Sequence, residues 1–194
     1  MKLIGLTGGV GMGKSTAAGL LSALGARVVD TDELARQLVQ PGQPALAEIR
    51  AAFGPGVLTA AGELDRAALA RLVFANAAAR RQLEAILHPR IRAGWQAQAQ
   101  AWRDENCPLG VVVIPLLFET GAETVFDNIL CVACLPAAQH ERLAGRGWTP
   151  EQIRQRITAQ MPIEQKLARA HLVIWSEGRM EVHRQQVARI FPRL

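Results

Sequence analysis

The run Gly8-Gly9-Val10-Gly11-Met12-Gly13-Lys14-Ser15 satisfies the spacing G-x-x-x-x-G-K-S in full, and no other feature constrains the chain as tightly. It follows the apolar run Leu3-Ile4-Gly5-Leu6, which predicts a buried strand, and precedes Ala17-Ala18-Gly19-Leu20-Leu21, which predicts a helix start. Glycines there permit positive φ and close backbone approach. Successive N–H groups can then cradle phosphate oxygens at a positive helix end. The pattern assigns Lys14 to the β/γ-phosphates and Ser15 to a Mg²⁺ ion that bridges them. A plain strand-to-helix turn would also use glycines, but lysine usage argues against it. Of 22 basic residues only Lys2, Lys14 and Lys166 are lysines, and a compact ammonium suits a tight phosphate loop better than a planar guanidinium.

Such a loop belongs at the edge of an α/β sheet, and the rest of the chain supplies one. Further strands are expected at Ala26–Val29, at Gly110–Ile114, from about Asp127 to Cys134, and at Leu172–Trp175. Helical patterns separate them. The predicted fold is α/β, a doubly wound, five-stranded parallel sheet of the phosphate-loop kinase kind. Between 41 and 106 the strand pattern disappears, and apolar residues recur at helical spacing: Leu46, Ile49 and Phe53; Leu69, Leu72 and Val73; Leu83, Ile86 and Leu87. This segment is expected as a helical insertion for a second substrate, with 1–40 and 107–194 forming the nucleotide-binding core. Pro89 is expected to break or restart a helix after His88.

Candidate chemistry clusters beyond the strand ends. Asp30-Thr31-Asp32 follows the second strand, where open α/β sheets collect ligands. Asp32 either orients the acceptor hydroxyl or caps the helix begun by Glu33. A helix over Ala137–Arg146 places Arg142 and Arg146 four apart, either as a lid over the transferred phosphoryl group or as a solvated face. Thr149-Pro150-Glu151-Gln152 predicts a capped helix to about Gln160, so that a lid spans about 137–160. Glu119 serves either Mg²⁺ through water or a surface ion pair. His88 either faces substrate or caps the carbonyls before it, and Trp95 and Trp102 read as packing.

Several function classes drop out. A GTPase would need Asn-Lys-x-Asp, yet Asn76, Asn106 and Asn128 are followed by Ala, Cys and Ile. A nucleic-acid or mechanical ATPase would want an acid at the end of the central strand, where Ile114-Pro115 stands. The formal charge of +5 is scattered, so nucleic acid is not required. No apolar run reaches membrane-spanning length, and a cytoplasmic protein follows as the expectation, with a monomer favoured. Cys131-Val132-Ala133-Cys134 resembles a metal or redox spacing, but in a strand those thiols point to opposite faces. A small-molecule kinase remains, using ATP and Mg²⁺.

The run Gly5 to Thr16, then Val29-Asp30-Thr31-Asp32 with Ala35-Arg36, resembles the opening of dephospho-CoA kinases. Phe53-Gly54, Gly62-Glu63-Leu64-Asp65-Arg66, Leu87-His88-Pro89-Arg90-Ile91, Pro115-Leu116-Leu117-Phe118-Glu119, Gln139 with Arg142, and Arg156-Ile157 with Gln160 continue it in order. The resemblance implies ATP-dependent phosphorylation of the ribose 3′-hydroxyl of dephospho-CoA. It implies Asp32, Lys14 and Arg142 as catalytic groups, and Gly8 to Thr16 with Arg142 and Arg146 as the nucleotide site. Asp32, Arg36, His88, Arg92, Leu117 and Glu119 would meet the acceptor. Two departures stand near the end, where His171 replaces the family's Asp and Ser176 its Asn, in a segment expected near the adenine.

Overall fold

The computed structural model describes the backbone of residues 1–194 and every side chain except those of Phe74 and Ala75. Two compact units divide the chain: Met1–Asp30 with Ala99–Leu194, and Thr31–Gln98.

The first unit is built on five parallel strands: β1 (Lys2–Gly8), β2 (Arg27–Asp30), β3 (Leu109–Val113), β4 (Asn128–Ala133) and β5 (Leu172–Trp175). Their spatial order is β2-β3-β1-β4-β5, so β1 lies at the centre. Ile4 faces Val111 on one side and Asn128 on the other. Alternation along the central strands divides their side chains between two packed faces. On one face Ile4, Leu6, Val111, Val113, Leu130, Val132 and Ile174 meet Ala17, Ala18 and Leu21 of α1 (Lys14–Ala23). Val187 of α9 (Met180–Ile190) joins them. Leu21 has no exposure, and burying such a side chain is worth about 2 kcal/mol. On the other face, a Cβ on Gly5 would stand 2.5 Å from Leu117 Cδ1, and one on Gly110 would stand 2.7 Å from the Trp102 ring. Only glycine lets these bulky groups lie flat on the sheet.

Three further helices complete this unit: α6 (Pro136–Ala144), α7 (Pro150–Thr158) and α8 (Ile163–Arg169). The start of α7 is as predicted. Thr149 and Gln152 form a reciprocal capping box, with Pro150 at the start of the helix. By contrast α6 ends at Ala144, so Arg146 lies beyond it in an exposed turn and does not share a helix face with Arg142. Gly145 interrupts the helix, and Gly147 takes φ +80°.

The second unit contains α2 (Thr31–Leu38), α3 (Pro44–Phe53), α4 (Arg66–Ala75) and most of α5 (Ala77–Asp104). Its core joins Val39, Leu46, Ile49, Val57 and Leu69 to Phe53, Leu83, Ile86 and Leu87. Leu72, expected on that apolar stripe, is 45% exposed instead. The unit begins at Thr31, ten residues before the change in strand pattern, because α2 packs inside it: Leu34 lies against Gly94. Pro89 does not end a helix. α5 runs through it, and the Arg90 guanidinium donates to the Ile86 carbonyl at 2.7 Å. His88 therefore sits in mid-helix and has no terminal carbonyls to cap.

Candidate active site

The phosphate loop begins where β1 ends, and its shape depends on glycine. Gly8, Gly11 and Gly13 have φ of 144°, 75° and 92°, values that side chains with a Cβ disfavour. Space forbids substitution as well. A Cβ on Gly8 would lie 2.2 Å from the Val132 carbonyl oxygen, and one on Gly11 would lie 2.8 Å from Leu143. Gly13 precedes α1, whose first turn holds no acid and receives no side-chain cap among the described residues. Its leading N–H groups therefore present a positive end suited to anionic oxygens. Lys14 Nζ folds back to donate to the carbonyls of Gly8 and Gly9, each at 3.0 Å. The ammonium thus arches over the loop, and Ser15 is exposed one residue on.

Side chains from later in the chain hold this loop. Gln139 Nε2 of α6 donates to Val10 O at 2.7 Å, while Gln160 Oε1, just after α7, accepts from Val10 N at 2.9 Å. Ser176 Oγ donates to Met12 O at 2.7 Å and accepts from the Arg142 guanidinium at 2.9 Å. A second Arg142 nitrogen reaches Ser176 O. Arg142 is thereby fixed beside Gly13, with NH1 3.8 Å from where a Cβ on that glycine would stand. His183 is buried close by with no partner for Nε2 among the described residues. Burial holds its imidazole below the usual pKa, and the charge of Arg142 adds to that.

The two departures from the resembled pattern separate in space. Ser176 lies at the carboxyl end of β5, against the phosphate loop. His171 precedes β5 at the opposite end of the strand, where its Nδ1 accepts from Ile129 N at 3.0 Å. Its role is to tie β5 to β4, and the expectation of an adenine contact there is corrected.

Beyond β3, Glu119 pairs with a buried cation and not with a surface one. Its Oε1 accepts from Lys166 Nζ and from Met161 N, each at 2.8 Å, and Lys166 has no exposure. Lys166 also donates to Pro115 O at 2.7 Å, an oxygen that Thr7 Oγ1 reaches at 3.3 Å. Leu117 is fully buried against Gly5. Its predicted substrate contact becomes a packing role, because no side-chain surface remains to offer.

In the second unit Asp32 stands inside the first turn of α2, which begins at Thr31. The residue immediately before the helix is Asp30, so Asp32 stands one position inside the helix. Arg36 is exposed and pairs with Glu33 at 2.9 Å. Arg92 is exposed and His88 half-buried on α5. The cysteines are free: Cys131 is buried on β4, and Cys134 lies just past it. Burial pushes the Cys131 thiol up to about 11 and raises that of Cys134. Among the described residues no cluster of His, Cys, Asp and Glu could hold a metal.

Lys166, Gln139, Gln160 and Ser176 were missed as site-builders. Lys166 had one signal, as one of three lysines in a chain that otherwise uses arginine. The two glutamines belonged to the resembling motifs, but nothing in their spacing tells that both reach one residue.

Comparison with known proteins bears on this geometry. The family model for dephospho-CoA kinase matches residues 2–181. A curated dephospho-CoA kinase from Geobacillus kaustophilus is 44% identical over 188 residues, covering 96% of this chain and 94% of its own. Among solved structures, a Thermus thermophilus protein superposes with a TM-score of 0.86 at 35% identity, covering 99% of this chain and 96% of its own. Dephospho-CoA kinase from Campylobacter jejuni does so with 0.73 at 28%, covering 100% and 97%.

Proposed function

The chain belongs to the dephospho-CoA kinase family, and from that premise we propose how its residues divide the work. The reaction is ATP-dependent phosphorylation of the ribose 3′-hydroxyl of dephospho-CoA, a step of coenzyme A biosynthesis. One observation carries the assignment of groups: Lys14 arches over a glycine-shaped loop at the uncapped start of α1.

The acceptor oxygen attacks the γ-phosphorus, the bond to the β-bridging oxygen breaks, and ADP leaves. The loop N–H groups and Lys14 hold the donor and neutralise its charge. Arg142, held beside Gly13 by Ser176, meets the charge that develops on the transferred group. Asp32 orients the acceptor hydroxyl and takes its proton. The helical unit carries the other acceptor contacts, at Arg36, His88 and Arg92. Residues 137–160 act as the lid, with Arg146 reaching the nucleotide only when that segment moves.

Ser15 fits the role of metal ligand, since its hydroxyl is exposed at the start of α1. With no carboxylate cage among the described residues, Mg²⁺ would be held by Ser15 and the phosphates, the usual arrangement for this ion. When bound it neutralises phosphate charge. Among the described residues no helix is long and apolar enough to cross a membrane. We place the enzyme in the cytoplasm as a monomer that acts without nucleic acid.

A coupled assay for ADP release tests the reading, with dephospho-CoA, AMP, shikimate and gluconate offered as acceptors beside a Lys14→Ala control. Turnover should appear with dephospho-CoA and vanish in the control. Equal turnover with another acceptor, or a fully active control, would overturn it.

A further inference from the structure

Both main-chain polar groups of Val10, at the tip of the phosphate loop, are taken by glutamines from opposite ends of one segment. Gln139 donates to the carbonyl at 2.7 Å, and Gln160 accepts from the N–H at 2.9 Å. Gln139 is only 5% exposed, so its amide is committed to this bond. Between the two glutamines lie Arg142, the Gly145-Arg146-Gly147 turn and α7. Chain geometry makes this a hinge at one point: both roots of the segment are fastened to the same residue, while the stretch between them contains two glycines and exposed helix.

Hydrogen bonds to main-chain groups transmit position without adding charge, which suits a loop that must receive phosphates. We propose that Gln139 and Gln160 are positioning residues that clamp Val10 and couple the phosphate loop to the lid. Neither glutamine touches the reacting atoms. Each sets where the loop tip stands, so that a nucleotide entering the loop is felt at both roots of the segment bearing Arg142. The proposal rests on the reading of 137–160 as a lid.

The chemistry of the two amides gives a directional test, because Gln139 must donate and Gln160 must accept. In the full chain, Gln139→Met and Gln160→Met each remove one bond at nearly constant volume. Each should raise the calorimetric Kd for ATP about tenfold. The double variant should be no worse than the weaker-binding single variant, because either loss alone frees the tip. Glu adds the same charge beside the loop at either position, so the two Glu variants are compared with each other. Gln160→Glu keeps an acceptor facing Val10 N–H and should bind ATP better than Gln139→Glu, which sets a carboxylate against a carbonyl. Multiplying effects in the double variant, or wild-type ATP affinity in both Met variants, would overturn the clamp. Arg142→Ala separates the readings: a kcat unchanged by that substitution removes the lid assignment and leaves the ATP-affinity cycle to decide on the clamp.

Discussion

The ammonium of Lys166, with no solvent exposure, lies 2.8 Å from Glu119 Oε1 in the same face of the sheet that carries Thr7 and Cys131. A buried charge survives only when paired and hydrogen-bonded, and Pro115 O supplies the second bond at 2.7 Å. The pair thus ties α8 to the loop that follows β3.

Removing one partner leaves the other uncompensated. Lys166→Met should destabilise the protein by about 3 kcal/mol, the low end for breaking a buried pair, since Glu119 is 20% exposed. Glu119→Gln should cost at least as much, because the amide oxygen still accepts but leaves the Lys166 ammonium, the more buried partner, without a counter-charge. Denaturant melts of the two variants and of the double variant check this. A Lys166→Met protein as stable as the wild type would show the pair to be inert.

Arg142 and Arg146 should behave differently, although their spacing puts them on one face of the expected helix. Arg142 is bound to Ser176 beside Gly13, while Arg146 lies in an exposed turn after α6. Arg142→Ala should lower kcat by about 10²-fold, the scale of losing one preorganised charge at the transition state. KM for the acceptor should barely move. Arg146→Ala should cost less than Arg142→Ala at saturating ATP. Steady-state kinetics with both substrates varied would show the split, and equal losses would refute the ranking.

The thiols provide a chemical check on the fold. Raising a thiol's pKa keeps it protonated, and only the thiolate attacks disulfide reagents. With Cys131 pushed up to about 11 by burial and Cys134 also raised, neither should react at pH 8 while the chain is folded. Cys107 is partly exposed and should react once. Titration with an aromatic disulfide should count one thiol in buffer and three in denaturant.

Local pattern predicted what is local. Five strands, the phosphate loop and the capping box at Thr149 all follow from neighbouring residues, since period, glycine placement and cap chemistry act within a few positions. The errors arose where tertiary packing overrode such signals. Pro89 reads as a break, yet α5 continues through it. Leu117 looks like part of a ligand loop, yet Gly5 opens a slot that buries it. The site's supports were least legible, because Gln139, Gln160 and Ser176 act across 129, 150 and 164 positions respectively. No spacing rule spans that distance.

Asp32 gives the sharpest test, because its catalytic and helix-end roles move different quantities. α2 begins at Thr31, so Asp32 stands in the first turn and Asp30 takes the place before the helix. If Asp32 orients and deprotonates the acceptor, Asp32→Asn should lower kcat by about 10²–10⁴-fold, the range for a lost general base. That equals roughly 3–5.5 kcal/mol of transition-state stabilisation. Stability should fall by only about 0.3–1 kcal/mol, the worth of one acid near a helix N-terminus. ATP affinity should stay close to wild type, since the phosphate loop is untouched and Asn can still accept a hydrogen bond. The three quantities separate the roles: a helix-end charge alone moves stability and leaves kcat, whereas a base lowers kcat as well. Asp32→Asn protein with wild-type kcat would send the search for the base to Asp30, which ends β2 opposite Val113.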